Sequence, residues 1–204
     1  MLTVNLTGVP NWIAEGPAPN TNGQDSNVPA ETGGGPNAVS GAIEAIAVNP
    51  GNSKNVFVGT VNGGVWETTD ITANPVAWTP LTDQLPALEI SSVQFDPTDA
   101  TNQTVFAGIG NTSNIITNLG PLTGLLKTTN GGTTWTQLGN APLASGGLQG
   151  ESTSAVLPRG GTILVGVVSG TSPGLYSSTN GGASFQLISG LNNLSLGPVY
   201  DVAG

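Results

Sequence analysis

The sequence contains no histidine and no cysteine. Without cysteine the chain has no disulfide bonds and no thiolate chemistry. Without histidine it lacks the most common general base and a frequent metal ligand. These two absences weigh against the most frequent kinds of catalytic and metal sites, and we predict no catalytic residue, no cofactor and no metal ligand.

Charge is also scarce, since only 7% of the residues are charged, against about 25% in an average domain. The basic residues are Lys54, Lys127 and Arg159, and the net charge is −9. Nucleic acid is therefore excluded as a partner, because neutralising phosphates requires a basic stripe. Anionic membrane surfaces are disfavoured for the same reason. Apolar runs stay below the roughly 18 residues of a spanning helix, and residues 1–10 show no signal peptide, so no membrane insertion is expected.

What the chain does have is glycine, with 31 residues, and many short alternating apolar runs between Gly, Asn and Pro turns. This pattern predicts an all-β fold of short strands. The clearest unit runs from Gly124 to Trp135 and recurs 50 residues later, from Gly174 to Phe185. In the first copy Asn130-Gly131-Gly132 suits a tight hairpin turn. We expect the strand to resume at Thr133.

Four short strands recur in each round of about 45 to 60 residues, which is typical of β-propeller blades. The rounds cover residues 42–88, 89–148 and 149–196, and residues 197–204 match the opening strand of a further blade. An N-terminal segment, residues 1–41, contains a possible strand at 11–17 and a long polar loop at 20–36. We therefore predict a partial propeller of about three blades, each made of four antiparallel strands.

The recurring turns carry a motif of Ser or Thr, Asp or Asn, Gly, Ser or Thr, and an aromatic residue. Its members are Thr128, Asn130, Gly132, Thr134 and Trp135; Ser178, Asn180, Gly182, Ser184 and Phe185; and, around an insertion, Thr68, Asp70 and Trp78. This pattern resembles the Asp-box (BNR) propellers of the sialidase, sortilin and xyloglucanase type, with Asn replacing Asp in two copies. The resemblance implies a structural role for the boxes at the blade periphery. It also implies that residues 11–17 close the last blade of a larger propeller, with closure by an oligomer partner as the alternative.

The catalytic residues of the resembling enzymes are not matched. Sialidases use an arginine cluster, whereas this chain has only Arg159. In xyloglucanases an Asp precedes the Gly-Gly of the first blade, and the matching residue here is Asn62, which cannot ionise. Asp96, Asp99 and Asn102 could bind Ca²⁺, although an Asp-Pro turn between strands is the favoured interpretation. Trp12 and Trp66 could form a sugar platform or simply pack.

These observations predict a non-catalytic propeller for recognition, adhesion or assembly, in a secreted or cell-surface protein. Its partner would be a protein or a glycan, with self-assembly possible, and binding would use the polar loops 20–36 and 110–121. Two alternatives stay open. One is part of a xyloglucanase-like glycoside hydrolase, and the other is a structural subunit of an extracellular filament or shell.

Overall fold

The computed structural model describes residues 42–112, 120–191 and 193–203, and this part of the chain is almost entirely β-structure. A single 3₁₀ turn, Leu143–Ser145, interrupts the strands of the described residues. The strands are β1 (Ile43–Asn49), β2 (Asn52–Thr60), β3 (Val65–Thr68), β4 (Thr79–Pro80), β5 (Ile90–Phe95), β6 (Val105–Ile109), β7 (Leu125–Thr128), β8 (Thr136–Leu138), β9 (Ser152–Arg159), β10 (Thr162–Ser169), β11 (Gly174–Ser178) and β12 (Gln186–Leu187).

Each run of four consecutive strands forms one sheet, with neighbours in sequence paired as neighbours in space. All pairings are antiparallel. The first sheet spans residues 43–80, the second 90–138 and the third 152–187. The prediction of four-stranded antiparallel units is confirmed. Among the described residues, no helix is long and apolar enough to cross a membrane.

The three sheets stack face to face, with the first strand β1 next to β5, and β5 next to β9. One apolar layer joins Phe57 of the first sheet to Val93 and Phe95 of the second. A second layer joins Phe106 of the second sheet to Val165 of the third. The middle sheet therefore buries both faces, which is how a small sheet with two apolar surfaces becomes stable.

The recurring turn is longer than the sequence pattern predicted, because β8 begins at Thr136 and not at Thr133. The Asn130 side chain causes the difference. Its Oδ1 accepts a hydrogen bond from the Thr134 N–H at 2.9 Å, which holds residues 130–134 in a loop. In the third sheet Asn180 Oδ1 accepts from the Ser184 N–H at 3.0 Å, and β12 likewise starts late.

The expected strand at residues 199–203 is not formed. Val199 nevertheless lies beside the third sheet: its N–H donates to the Val167 carbonyl at 3.0 Å, and its side chain contacts Gly166. A strand needs a regular ladder, and this segment has no hairpin partner among the described residues. The predicted strand 11–17 and the loop 20–36 lie outside the residues that the structure describes.

Candidate functional site

The aspartates that the sequence analysis considered as Ca²⁺ ligands, Asp96 and Asp99, accept hydrogen bonds from backbone N–H groups. Asp96 is buried, and its carboxylate accepts the Thr98 N–H at 2.9 Å and the Gly160 N–H of the third sheet at 2.9 Å. Asp99 accepts the N–H groups of Thr101 and Thr104, at 2.9 and 2.8 Å. A hydrogen bond from the Thr101 hydroxyl is the largest of the causes that lower the pKa of Asp99. These bonds correspond to the Asp-Pro turn of the sequence analysis, and no cluster of three acidic, His or Cys residues occurs in the described chain.

The other residues singled out by the sequence lie in two different sheets: Asn62 and Trp66 belong to the first, and Arg159 belongs to the third. Asn62 is exposed in the connection between β2 and β3. Trp66 donates its indole N–H to the Gly63 carbonyl at 2.7 Å, so it holds the same connection in place. Arg159 ends β9 in the third sheet and donates to the Pro158 carbonyl at 2.9 Å. The structure does not combine these side chains into a site, and Trp12 lies outside the described residues.

A polar cleft of about 410 Å³ separates the first and second sheets at one end of the stack. The first sheet contributes its β1–β2 turn and the start of its β3–β4 connection, and the second sheet contributes the equivalent two turns. The lining residues are Asn49, Gly51, Asn52, Asn55, Phe57, Glu67, Thr69, Thr101, Asn102, Gln103 and Gly131. In an up-and-down sheet these turns share one end, and β6 ends at the opposite one, so the described residues 110–112 of the predicted binding loop 110–121 follow β6 away from the cleft. Residues 113–119 of that loop are not among the described ones.

A directed series of hydrogen bonds crosses the floor of the cleft. The Gly51 N–H donates to Asn49 Oδ1 at 2.9 Å, and Asn49 Nδ2 donates to Asn55 Oδ1 at 2.9 Å. Asn55 Nδ2 then donates to Glu67 Oε1 at 2.6 Å and to the Thr68 carbonyl at 3.1 Å. The bonds from Gly51 through Asn49 and Asn55 all donate towards the carboxylate, so they orient Glu67 without supplying a positive charge.

The opposite wall of the cleft is a turn of the second sheet. The Asp99 carboxylate accepts hydrogen bonds from the Thr101 and Thr104 N–H groups of this turn. Gly51 approaches this wall so closely that a Cβ there would lie 2.6 Å from Asn102 Nδ2. The cleft is therefore shaped by close contact between two sheets and not by a free loop.

The charge of Glu67 is not compensated by a basic residue of the described chain. Lys54 pairs instead with Asp70, with its Nζ 3.0 Å from Oδ2. The Thr72 hydroxyl, followed by Lys54, lowers the pKa of Asp70 to about 2. Lys127 lies over the Phe106 ring in the second sheet, and Arg159 ends β9 in the third. The cleft thus presents one oriented negative charge among amides and hydroxyls.

Sequence reasoning missed this cleft, although two signals for it exist. Asn49, Asn52 and Asn55 surround one turn at a spacing of three residues. Glu67 also stands where the repeats have Lys127 and Ser177. Only the stacking of the first sheet on the second shows that these residues share one cleft with the Thr101–Gln103 turn.

No family model matches this sequence, and a comparison with curated proteins found no match. Solved structures, in contrast, resemble its fold. They include the GH74 xyloglucanase from Xanthomonas campestris, at 16% identity and a TM-score of 0.50, covering 75% of this chain and 23% of that one. YCF48 bound to D1 peptide matches at 18% identity and a TM-score of 0.50, covering 73% and 41%. A chain of the nidogen/laminin complex matches at 13% identity and a TM-score of 0.52, covering 76% and 51%.

The chain has the fold of a partial β-propeller. Its three sheets are blades, and the cleft lies between the first and second of them. The chain spans about half or less of the length of each of these three structures. At these identities the likeness extends to the fold alone.

Proposed function

We propose that this chain is part of a recognition propeller, and that the cleft between its first two blades binds a protein partner without catalysing a reaction. One observation carries the proposal: the cleft holds a single carboxylate, Glu67, oriented by Asn55 at 2.6 Å. Glycoside hydrolysis uses a facing pair of carboxylates. A lone oriented carboxylate among amides is suited to binding.

The composition of the cleft favours a protein over a glycan. Sugar-binding sites commonly present an aromatic face, but Phe57, the aromatic residue of the lining, is only 1% exposed. Trp66 neighbours Glu67 in β3, and strand alternation directs it to the other face of the sheet. Among the propellers of similar fold, YCF48 is bound to D1 peptide and nidogen forms a complex with laminin. These partners belong to those proteins, and they support protein binding as a use of this fold.

The finer assignments of the sequence analysis form part of the same proposal. We assign residues 128–135 and 178–185 as Asp boxes with Asn in place of Asp, and their support is the Asn side-chain bond to the backbone in each loop. The blades would occupy residues 42–88, 89–148 and 149–196, with 197–204 opening a further blade. Secretion or display at the cell surface fits the low charge and the Gly-rich composition.

A peptide-selection experiment tests the proposal. Random twelve-residue peptides displayed on phage are selected on the immobilised 204-residue chain and on two variants. Thr69→Trp introduces a bulky side chain at the exposed edge of the cleft. Thr179→Trp makes the same change at the equivalent exposed position after β11, away from the cleft.

We expect enriched peptides to bind the wild-type chain and Thr179→Trp equally, and to lose binding to Thr69→Trp. Peptides that bind all three proteins equally would contradict the proposed site. Failure to enrich any peptide on the wild-type chain would contradict protein recognition.

A further inference from the structure

The three blades differ at one pair of positions beside the cleft. The backbone register pairs Phe57 with Glu67 in the first blade and Phe106 with Lys127 in the second. In the third blade the equivalent pair is Leu164 and Ser177. Two blades therefore share the same phenylalanine, while the charge next to it is reversed.

In the second blade the residue paired with the phenylalanine is a cation, Lys127. Lys127 places its Nζ 5.2 Å from the centre of the Phe106 ring, within the range of a cation–π contact. In the first blade the shorter and oppositely charged Glu67 stands in that position, and the cleft lies beside it. The first blade thus has a cleft at this position, and no basic residue of the described chain lines it.

We propose that the cleft binds a cationic side chain, arginine or lysine, of a protein ligand, with Glu67 as its charged partner. This inference rests on the proposed function, since it names the chemistry that a protein partner would present. The guanidinium of arginine can bond a carboxylate through two parallel N–H groups. Asn49 and Asn55 support the binding geometry, because their bonds hold Glu67 before the ligand arrives.

The net charge of the whole chain also favours a cationic ligand. A net charge of −9 attracts cationic ligands and repels anionic ones at a distance. Phosphorylated or acidic ligands are therefore disfavoured. A neutral glycan would gain no benefit from the charge and would find no exposed aromatic face in the described lining.

Small probes test the charge requirement directly. N-acetyl-arginine amide is titrated into the ¹⁵N-labelled 204-residue chain and compared with N-acetyl-citrulline amide, its neutral analogue of nearly the same shape. Cellotetraose is the glycan probe. We expect arginine amide to shift the backbone N–H signals of Asn55, Gln103 and Gly131, and to bind about tenfold more tightly than the citrulline probe.

Two substitutions locate the effect. Glu67→Gln keeps an oxygen that can accept from Asn55 but removes the charge, so the preference for arginine over citrulline should disappear while the thermal unfolding temperature stays unchanged. Asp83→Asn removes one charge at an exposed position outside the cleft and should leave the preference intact.

The inference is overturned if arginine and citrulline amides bind equally, or if cellotetraose shifts the cleft signals and arginine amide does not. The selected peptides separate this failure from that of the proposed function. Suppose that the selected peptides lose binding to Thr69→Trp but contain no basic residues. This result would support protein recognition by the cleft and would contradict the binding of an arginine or lysine side chain.

Discussion

Replacing Thr128 with valine tests whether the side-chain hydrogen bonds of the 128–135 loop stabilise the second blade. Thr128 is 1% exposed, so the hydroxyl has little access to water. Its Oγ1 accepts the Gly132 N–H at 3.0 Å and donates to Asn130 Oδ1 at 2.9 Å. Valine has nearly the same volume, and β-branching keeps the strand preference. The substitution therefore removes these bonds while changing the packing little.

The expected loss follows mainly from these two bonds, because the third bond of the hydroxyl, accepted from the Asn130 N–H, is longer at 3.3 Å. Each contributes about 1 kcal/mol net, and the buried Gly132 N–H left without its acceptor costs about 1 to 3 kcal/mol. Water can partly replace the bond to Asn130, which is exposed. We therefore expect Thr128→Val to lower the free energy of unfolding by about 2 to 4 kcal/mol.

Guanidinium unfolding followed by tryptophan fluorescence measures this loss, with Trp135 at the end of the loop as a nearby reporter. Thr129→Val is the matched control, because Thr129 is exposed and its side chain makes no hydrogen bond within the described chain. The control should change stability by less than about 0.5 kcal/mol. A Thr128→Val loss that is no larger than that of Thr129→Val would refute the assignment of stability to these bonds.

Two further predictions concern the same blade and its neighbour. Asn130→Asp should change the free energy of unfolding by less than about 0.5 kcal/mol in the same assay, because one carboxylate oxygen can keep the Thr134 N–H bond and the other can accept the Thr134 hydroxyl; a loss above about 1 kcal/mol would contradict this geometry. Burial, followed by the charge of Glu151, raises the pKa of Tyr176 above 10. Its contribution to stability should be complete below pH 10 and lost as the pH rises through the raised pKa. Tyr176→Phe should flatten this alkaline decline in thermal unfolding, and an unchanged decline would refute it.

The strands could be predicted from sequence because their signal is local. Short runs of apolar and small residues at 56–60 and 105–109 fall in β2 and β6, and these runs are buried. The late start of β8 could not be predicted from β-propensity, because Thr133 and Thr134 are good strand formers that the Asn130 side chain holds in a loop. β-Propensity describes the conformational preference of a single residue. The conformation of this loop instead depends on the hydrogen bond from the Thr134 N–H to the side chain of Asn130, four residues earlier.

The cleft was beyond sequence reasoning for a different reason. Glu67 and Gln103 lie on different blades, and their proximity follows from how one sheet stacks on the next. The sequence directed attention instead to Asp96, Asp99 and Asn62, whose residue types suit metal or hydrolytic chemistry. In the structure both aspartates accept hydrogen bonds from N–H groups of turns. Asn62 lies in the β2–β3 connection, at the end of the first sheet opposite the cleft.

A comparison of equivalent positions in the three blades helps to distinguish carboxylates that stabilise the fold from carboxylates that could bind a ligand. Burial alone distinguishes them less well. Buried carboxylates often mark functional sites, and Glu89 and Glu151 are both buried here. Each immediately precedes the first strand of its blade and accepts N–H groups from the connection between the second and third strands: Gly120 bonds Glu89, and Thr171 bonds Glu151 at 2.9 Å. The second and third blades share this arrangement, so we attribute it to their fold, and the first blade has Ala42 at the equivalent position. Glu67 is less buried, but its equivalents in the other blades are a lysine and a serine, so the stack does not require its charge. Because the equivalent strands have no carboxylate at this position, the oriented charge of Glu67 supports the proposed binding of a cationic ligand.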